Sequence, residues 1–208
     1  MSEEDPANDD VEGAGIALDP RRLEAFSDAV MAVIITIMAF DLKTPVTADW
    51  HGLTGRLPSL LVYILSFTLI GIYWNNHHHL LRATRRISTA VMWSNLVLLF
   101  WLSLVPFATA WVGSDPDRAL PPATYGVVSL GSALAFFVLS GSILRANADD
   151  ETIKRAIGRN TKAIISPIIY GVGIALAFVM PSLAYVCYVV VALTWIVPSR
   201  RLAQGVPT

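Results

Sequence analysis

The residues able to do chemistry sit where apolar ones prevail. Glu24 and Asp28 flank Ser27 at the start of LEAFSDAVMAVIITIMAF. Trp74, His77 and His78 close a second apolar run, and Asn95 falls inside a third. Carboxylates and imidazoles in such surroundings can relay protons, or they can tie helices together through hydrogen bonds. The consecutive His77, His78 and His79 also invite a metal reading. Adjacent residues on a helix point about 100° apart, so the three cannot converge on one ion. His51 is the remaining histidine, and the single cysteine, Cys187, lies in an apolar run. No metal and no cofactor are expected. Thr124-Tyr125-Gly126-Val127 superficially matches a carbonyl-type potassium filter, but the order is wrong and no re-entrant loop flanks it.

The elements that must hold these residues are membrane spans. Of 208 residues, 54% are hydrophobic and only 15% charged, against a usual charged share of about 25%. Mean hydropathy is +0.56. A chain this apolar cannot hide its surface in one water-soluble core, and a net charge of −1 leaves no nucleic-acid footprint. Four intervals lack Asp, Glu, Lys and Arg: 25 residues after Arg56, 28 after Arg86, 26 after Arg118 and 37 after Lys162. A spanning helix needs roughly 20 apolar residues. The first three intervals hold one span each, and the last holds two, with Met180-Pro181-Ser182 as the turn. A further span begins near Pro20 and takes Glu24 and Asp28 into or near the membrane. Intramembrane acids are costly and face protein or water, so this first helix is the functional suspect.

Six spans are thus expected: 21–43, 57–80, 88–112, 121–145, 162–180 and 182–199. With that count, twelve of the fifteen Lys and Arg residues fall on one side, and only Lys43, Arg56 and Arg118 on the other. The positive-inside rule then makes both termini cytoplasmic. His51 falls on the side opposite His77 and His78. The domains read as a disordered acidic tail over 1–19, a transmembrane domain over 20–200 and a short tail over 201–208. The cytoplasmic loop 147–161 places acids before bases, as a short helix prefers. No extramembrane segment is long enough for a catalytic domain, so no catalytic residues are expected and the protein is read as not an enzyme.

On the first helix, Phe26, Val30, Val33, Ile37 and Phe40 follow a 4-3-4-3 spacing and form one stripe, with Thr36 beside it. Ala25, Ala29 and Ala32 form a stripe of small residues suited to close helix approach. Trp74 and His77 share a helix face at i, i+3. His77 and His78 lie at the same membrane depth as Asp28.

Arg22-Leu-Glu-Ala-Phe26-Ser27-Asp28 is an R-x-x-x-F-S-D sequence opening a first span. It resembles the signature of the TMEM175 family of potassium channels in its prokaryotic single-repeat form. Trp74-Asn-Asn-His77-His78 resembles the family's W-x-x-H-H element, Asn95 falls in the third span, and Pro106-Phe107-Ala108-Thr109 resembles P-F-x-T. The resemblance runs over roughly 20–200 and implies a homotetramer of six-helix subunits in which the first helix lines a central pore. It implies potassium as the permeant ion and an apolar constriction at Val33, with further layers at Ile37 and Phe40. Thr36 is the nearby hydroxyl. Valine stands at 33 where isoleucine or leucine is common, and phenylalanine at 40 where leucine is common. Arg22, Phe26, Ser27, Asp28, Trp74, His77, His78 and Asn95 are expected to form a hydrogen-bonded network that positions the pore helix.

The expectation is therefore an all-α, polytopic membrane protein with six transmembrane helices, the first of them lining a central pore in a homo-oligomer. Its partners are potassium ions, the lipid bilayer and copies of itself, and the absence of a targeting segment suggests a prokaryotic plasma membrane. The competing reading is a proton-coupled secondary transporter using Asp28 and His77 as a relay. A non-conducting accessory membrane protein is the third.

Overall fold

The computed structural model describes residues 19–151, 153–154 and 161–196. The described residues are helical throughout, joined by short connections. The helices are α1 (Pro20–Phe40), α2 (Trp50–Thr54), α3 (Leu57–Ala83), α4 (Thr89–Ser103), α5 (Val105–Ser114), α6 (Leu120–Ala146), α7 (Thr161–Ala177) and α8 (Pro181–Ile196). Apart from Asp19, the two tails lie outside the described residues, as does part of the loop helix expected over 147–161.

Four units are long and apolar enough to cross a membrane: α1, α3, α4 continued by α5 as Thr89–Ser114, and α6. The last two expected spans appear as shorter apolar helices, Lys162–Ala177 and Pro181–Ile196. At 1.5 Å per residue each covers about 24 Å, short of the roughly 30 Å hydrocarbon core. The sequence reading of six spans, the last two sharing one interval and so shorter, is met among the described residues by four full-length units and two shorter helices. Residues 197–199, the end of the last expected span, lie outside the described residues.

Local chemistry sets the helix ends. Asp19 caps α1 by accepting from the Arg21 N–H at 2.9 Å, with Pro20 in the first turn. Ser88 caps α4 through the Val91 N–H. The third expected span is one crossing but not one helix. Pro106 has no N–H to give the Leu102 carbonyl, and the chain resets at Leu104 before α5. Met180-Pro181 separates α7 from α8, as the sequence requires. Helix α2 was not foreseen. Asp49 caps it, accepting from the Gly52 N–H at 2.7 Å and the Thr47 hydroxyl at 2.8 Å. The Gly52 bond above all, then that from Thr47, holds the Asp49 carboxyl below its ordinary value.

Contacts between helix ends sort the chain into two poles. At one, Glu24 of α1 meets His78 of α3, and Arg85 and Arg86 meet Asp150 and Asp149 beyond α6. The buried Asn147 side chain binds the turn between α3 and α4 there. It accepts from the N–H groups of Arg85 (3.3 Å) and Arg86 (3.0 Å), and donates to the carbonyls of Arg86 (3.2 Å) and Ile143 (3.0 Å). At the other pole, the Ser59 hydroxyl donates to the Gly113 carbonyl at 2.7 Å, and Tyr185 donates to the Pro116 carbonyl at 2.8 Å. This alternation of ends is the up-and-down course that the charge partition demands.

Helix α1 packs on α3, α4 and α5, while α6 packs on α4, α5 and α7. In lipid, apolar contact replaces apolar contact, so close shape and polar bonds decide the packing. Small residues permit the closest approaches. A Cβ on Gly131 would overlap the Trp101 indole, and one on Gly126 would overlap the Tyr188 ring, whose hydroxyl donates to the Pro122 carbonyl at 2.9 Å. A Cβ on Gly141 would meet nothing within 4 Å. Gly141→Ala should therefore raise stability by up to about 1 kcal/mol through helix propensity, read as a higher unfolding midpoint of the detergent-solubilised chain.

Candidate functional site: the two faces of the first helix

The spacing of α1 divides it sharply. Ser27, Met31, Ile34 and Met38 recur at 4-3-4 intervals and are buried against the rest of the subunit. The stripe read from the sequence lies on the other side, except that Val30 is half-buried against the core. Val33 is 54%, Ile37 46% and Phe40 88% exposed, and Phe26, Ala25, Ala29, Ala32 and Thr36 are exposed with them. The Thr36 hydroxyl donates to the Val33 carbonyl at 2.8 Å, which leaves its oxygen as an acceptor on that face. Among the described residues, none buries this row.

The buried face is held by a directed hydrogen-bond chain. Ser27 donates its single proton to the Leu23 carbonyl at 2.8 Å. Its oxygen therefore accepts from the Asn95 amide at 2.9 Å. That orients the Asn95 oxygen toward His77 Nε2 at 2.7 Å, so Nε2 must carry a proton. Ser27, His77 and Asn95 are wholly buried. One chain thus links α1, α4 and α3, and it fixes the rotation of α1 about its own axis.

His78 turns the other way. Its Nδ1 lies 2.7 Å from Glu24 Oε1, and Trp74 stacks on its ring at 5.7 Å. Trp74 therefore pairs with His78 at i, i+4; the expected i, i+3 partnership with His77 is replaced, because His77 points inward to Asn95. Asp28 is partly buried, and its Oδ1 is enclosed without a hydrogen-bond partner among the described residues. The structure does not bring Arg22 or Phe26 into the chain of bonds. Both are exposed, and among the described residues Arg22 forms no ion pair.

Two features escaped the sequence reading. Glu24 was noted only as a costly acid, yet it is the partner of His78; its place four residues before Asp28, on the same helix face, was the available signal. The second is a polar cluster in the opposite half of the subunit. Ser66 Oγ lies 2.7 Å from the Thr109 hydroxyl and 3.2 Å from that of Tyr125, joining α3, α5 and α6. Thr109 belongs to the P-F-x-T element.

A sequence profile described as "Endosomal/lysosomal potassium channel TMEM175" matches residues 22–106. A potassium channel of a Chryseobacterium species is 45% identical over 184 residues, covering 88% of this chain and 96% of that protein. The chain belongs to the TMEM175 family. A potassium channel of Streptomyces collinus is 34% identical over 199 residues, with 88% and 96% covered. Among solved structures, a lysosomal potassium-selective channel TMEM175 homologue from Chamaesiphon minutus superposes with a TM-score of 0.74 at 25% identity, covering 90% of this chain and 98% of that one. The stretch matched by the TMEM175 profile runs from α1 through the whole of α4 to the start of α5. It includes both faces of α1 and every member of the Ser27–Asn95–His77 chain.

Proposed function

We propose that this chain is the subunit of a passive potassium channel, in which copies surround an axis lined by the exposed face of α1. The observation that carries the reading is that face: Val33, Ile37 and Phe40 stand out from a helix whose other side is locked by buried hydrogen bonds. The potassium-channel names of its bacterial relatives favour conduction over proton-coupled transport. Four copies would set three apolar rings along the axis. Such rings gate by expelling water and impose a hydration threshold on passing ions. The Thr36 oxygen supplies the one side-chain acceptor beside them. The same reading puts the chain in a prokaryotic plasma membrane with both termini cytoplasmic, since the basic residues gather at the Glu24–His78 pole.

The test is potassium flux into liposomes holding the purified full-length protein, with sodium and proton gradients imposed separately. Flux that follows the potassium gradient alone supports the channel. Transport that stalls without a proton gradient would replace it with the carrier built on Asp28 and His77. Asp28→Asn separates the two further: it should lower the yield of assembled protein while leaving flux per assembled particle uncoupled from protons. The oligomer is checked by the mass of the detergent-solubilised particle, where a monomer would end the axial pore.

A further inference from the structure

Glu24 and Asp28 lie one turn apart on α1, and both carboxylates face His78 of α3. One ligand atom from each of the three falls within 4.8 Å of the others. Two carboxylates held this close, in a site where the Glu24 side chain is 18% and the His78 side chain 24% exposed, are stabilised by a cation between them. Besides the His78 imidazole itself, the cation recorded against this pair is weakly placed. Arg82 Nε stands 3.7 Å from Glu24 on a side chain that is 70% exposed. The enclosed Asp28 Oδ1 has no hydrogen-bond donor among the described residues.

We propose that Glu24, Asp28 and His78 bind a divalent transition-metal ion of the zinc class, which ties the charged end of α1 to α3. Imidazole nitrogen with two carboxylate oxygens is a donor set for zinc, cobalt or nickel rather than magnesium or calcium. Ligand atoms of a tetrahedral zinc site are about 3.3 Å apart, given bonds of about 2.0–2.1 Å. Closing from 4.8 Å takes side-chain shifts of under about 1 Å each, with a water completing the set. The stacked Trp74 ring holds the His78 imidazole in place. The site is distinct from the run of three histidines: His78 alone of the three joins it, because His77 is turned to Asn95.

The experiment reads binding, so it does not depend on conduction. Purified full-length protein in detergent is dialysed against Zn2+, and bound metal is counted per chain, with Mg2+ and Ca2+ as competitors. One Zn2+ per chain, not displaced by Mg2+ or Ca2+, is expected. Asp28→Asn and His78→Gln should each weaken binding by on the order of tenfold or more. Arg82→Gln, an exposed change, should tighten it by removing the competing cation. X-ray absorption of the zinc-loaded wild-type chain keeps the proposal falsifiable should the ligand variants fail to fold. One imidazole with oxygen neighbours supports the site. Two or more imidazoles, sulfur ligation, no bound zinc, or binding unaltered in folded ligand variants would overturn it.

Discussion

Ile37→Asn in the full-length protein should raise potassium flux by on the order of tenfold and weaken the preference for potassium over sodium. The isoleucine is 46% exposed and sits on the uncovered side of α1, so its removal disturbs little inside the subunit. Around an axis, each copy would contribute one such side chain to an apolar ring, and water leaves a ring of that kind readily. An asparagine ring offers oxygen and N–H groups that keep the constriction wet. Lowering a barrier by about 1.4 kcal/mol multiplies a rate tenfold. The apolar ring is also the size and hydration threshold, so selectivity falls as flux rises. The measurement is flux per assembled particle in liposomes, with Val33→Asn beside it. Unchanged flux in both variants would remove these two positions from the ion path.

Asn95→Leu acts on the other side of the same helix and should cost about 1–3 kcal/mol of stability, read as lost assembly and a lower unfolding midpoint. Leucine matches the asparagine in size, so the loss is one of bonding. The His77 Nε2–H and the Ser27 oxygen would be left buried without partners. An orphaned buried polar group costs about 1–3 kcal/mol, and measured interhelical bonds in membranes fall toward the low end. Combining Asn95→Leu with Ser27→Ala should recover part of the loss, because the second change removes one orphan. A double variant that is worse by the full sum of the single ones would show that the three residues do not act as a chain.

What could be read from the sequence was whatever charge and spacing determine. Charge-free intervals located the spans, and the spacing on α1 picked out the open row of Phe26, Val33, Ile37 and Phe40, while Val30, read with them, is half-buried against the core. Ser27, His77 and Asn95 stood out by their polarity in apolar runs, and the structure joins them in one hydrogen-bond chain. Which histidine met which partner was not legible. His77 and His78 differ by about 100° on the helix, and only the position of α1 and α4 around α3 decides which one faces Asn95 and which Glu24. The break at Leu104 was implicit in Pro106, but a proline in a membrane span can also leave a helix merely bent. Helix α2 rests on one aspartate and one close glycine in a polar loop, too short a signal for periodicity to register.

Asn147 has a consequence for the order in which the chain becomes organised. The turn it holds, Thr84-Arg85-Arg86-Ile87-Ser88, contains no Gly, Pro, Asn or Asp, and its one turn-favouring residue, Ser88, is engaged in capping α4. Its backbone hydrogen bonds are completed from a residue some sixty positions later, at the far end of α6. As the chain emerges from the ribosome, α3 and α4 therefore enter the bilayer without a local instruction for their mutual angle. That angle is set only when the next full crossing has been made and its final residue arrives. The first half of the subunit waits on the second, and an insertion machinery releasing helices one at a time would release this pair unfinished.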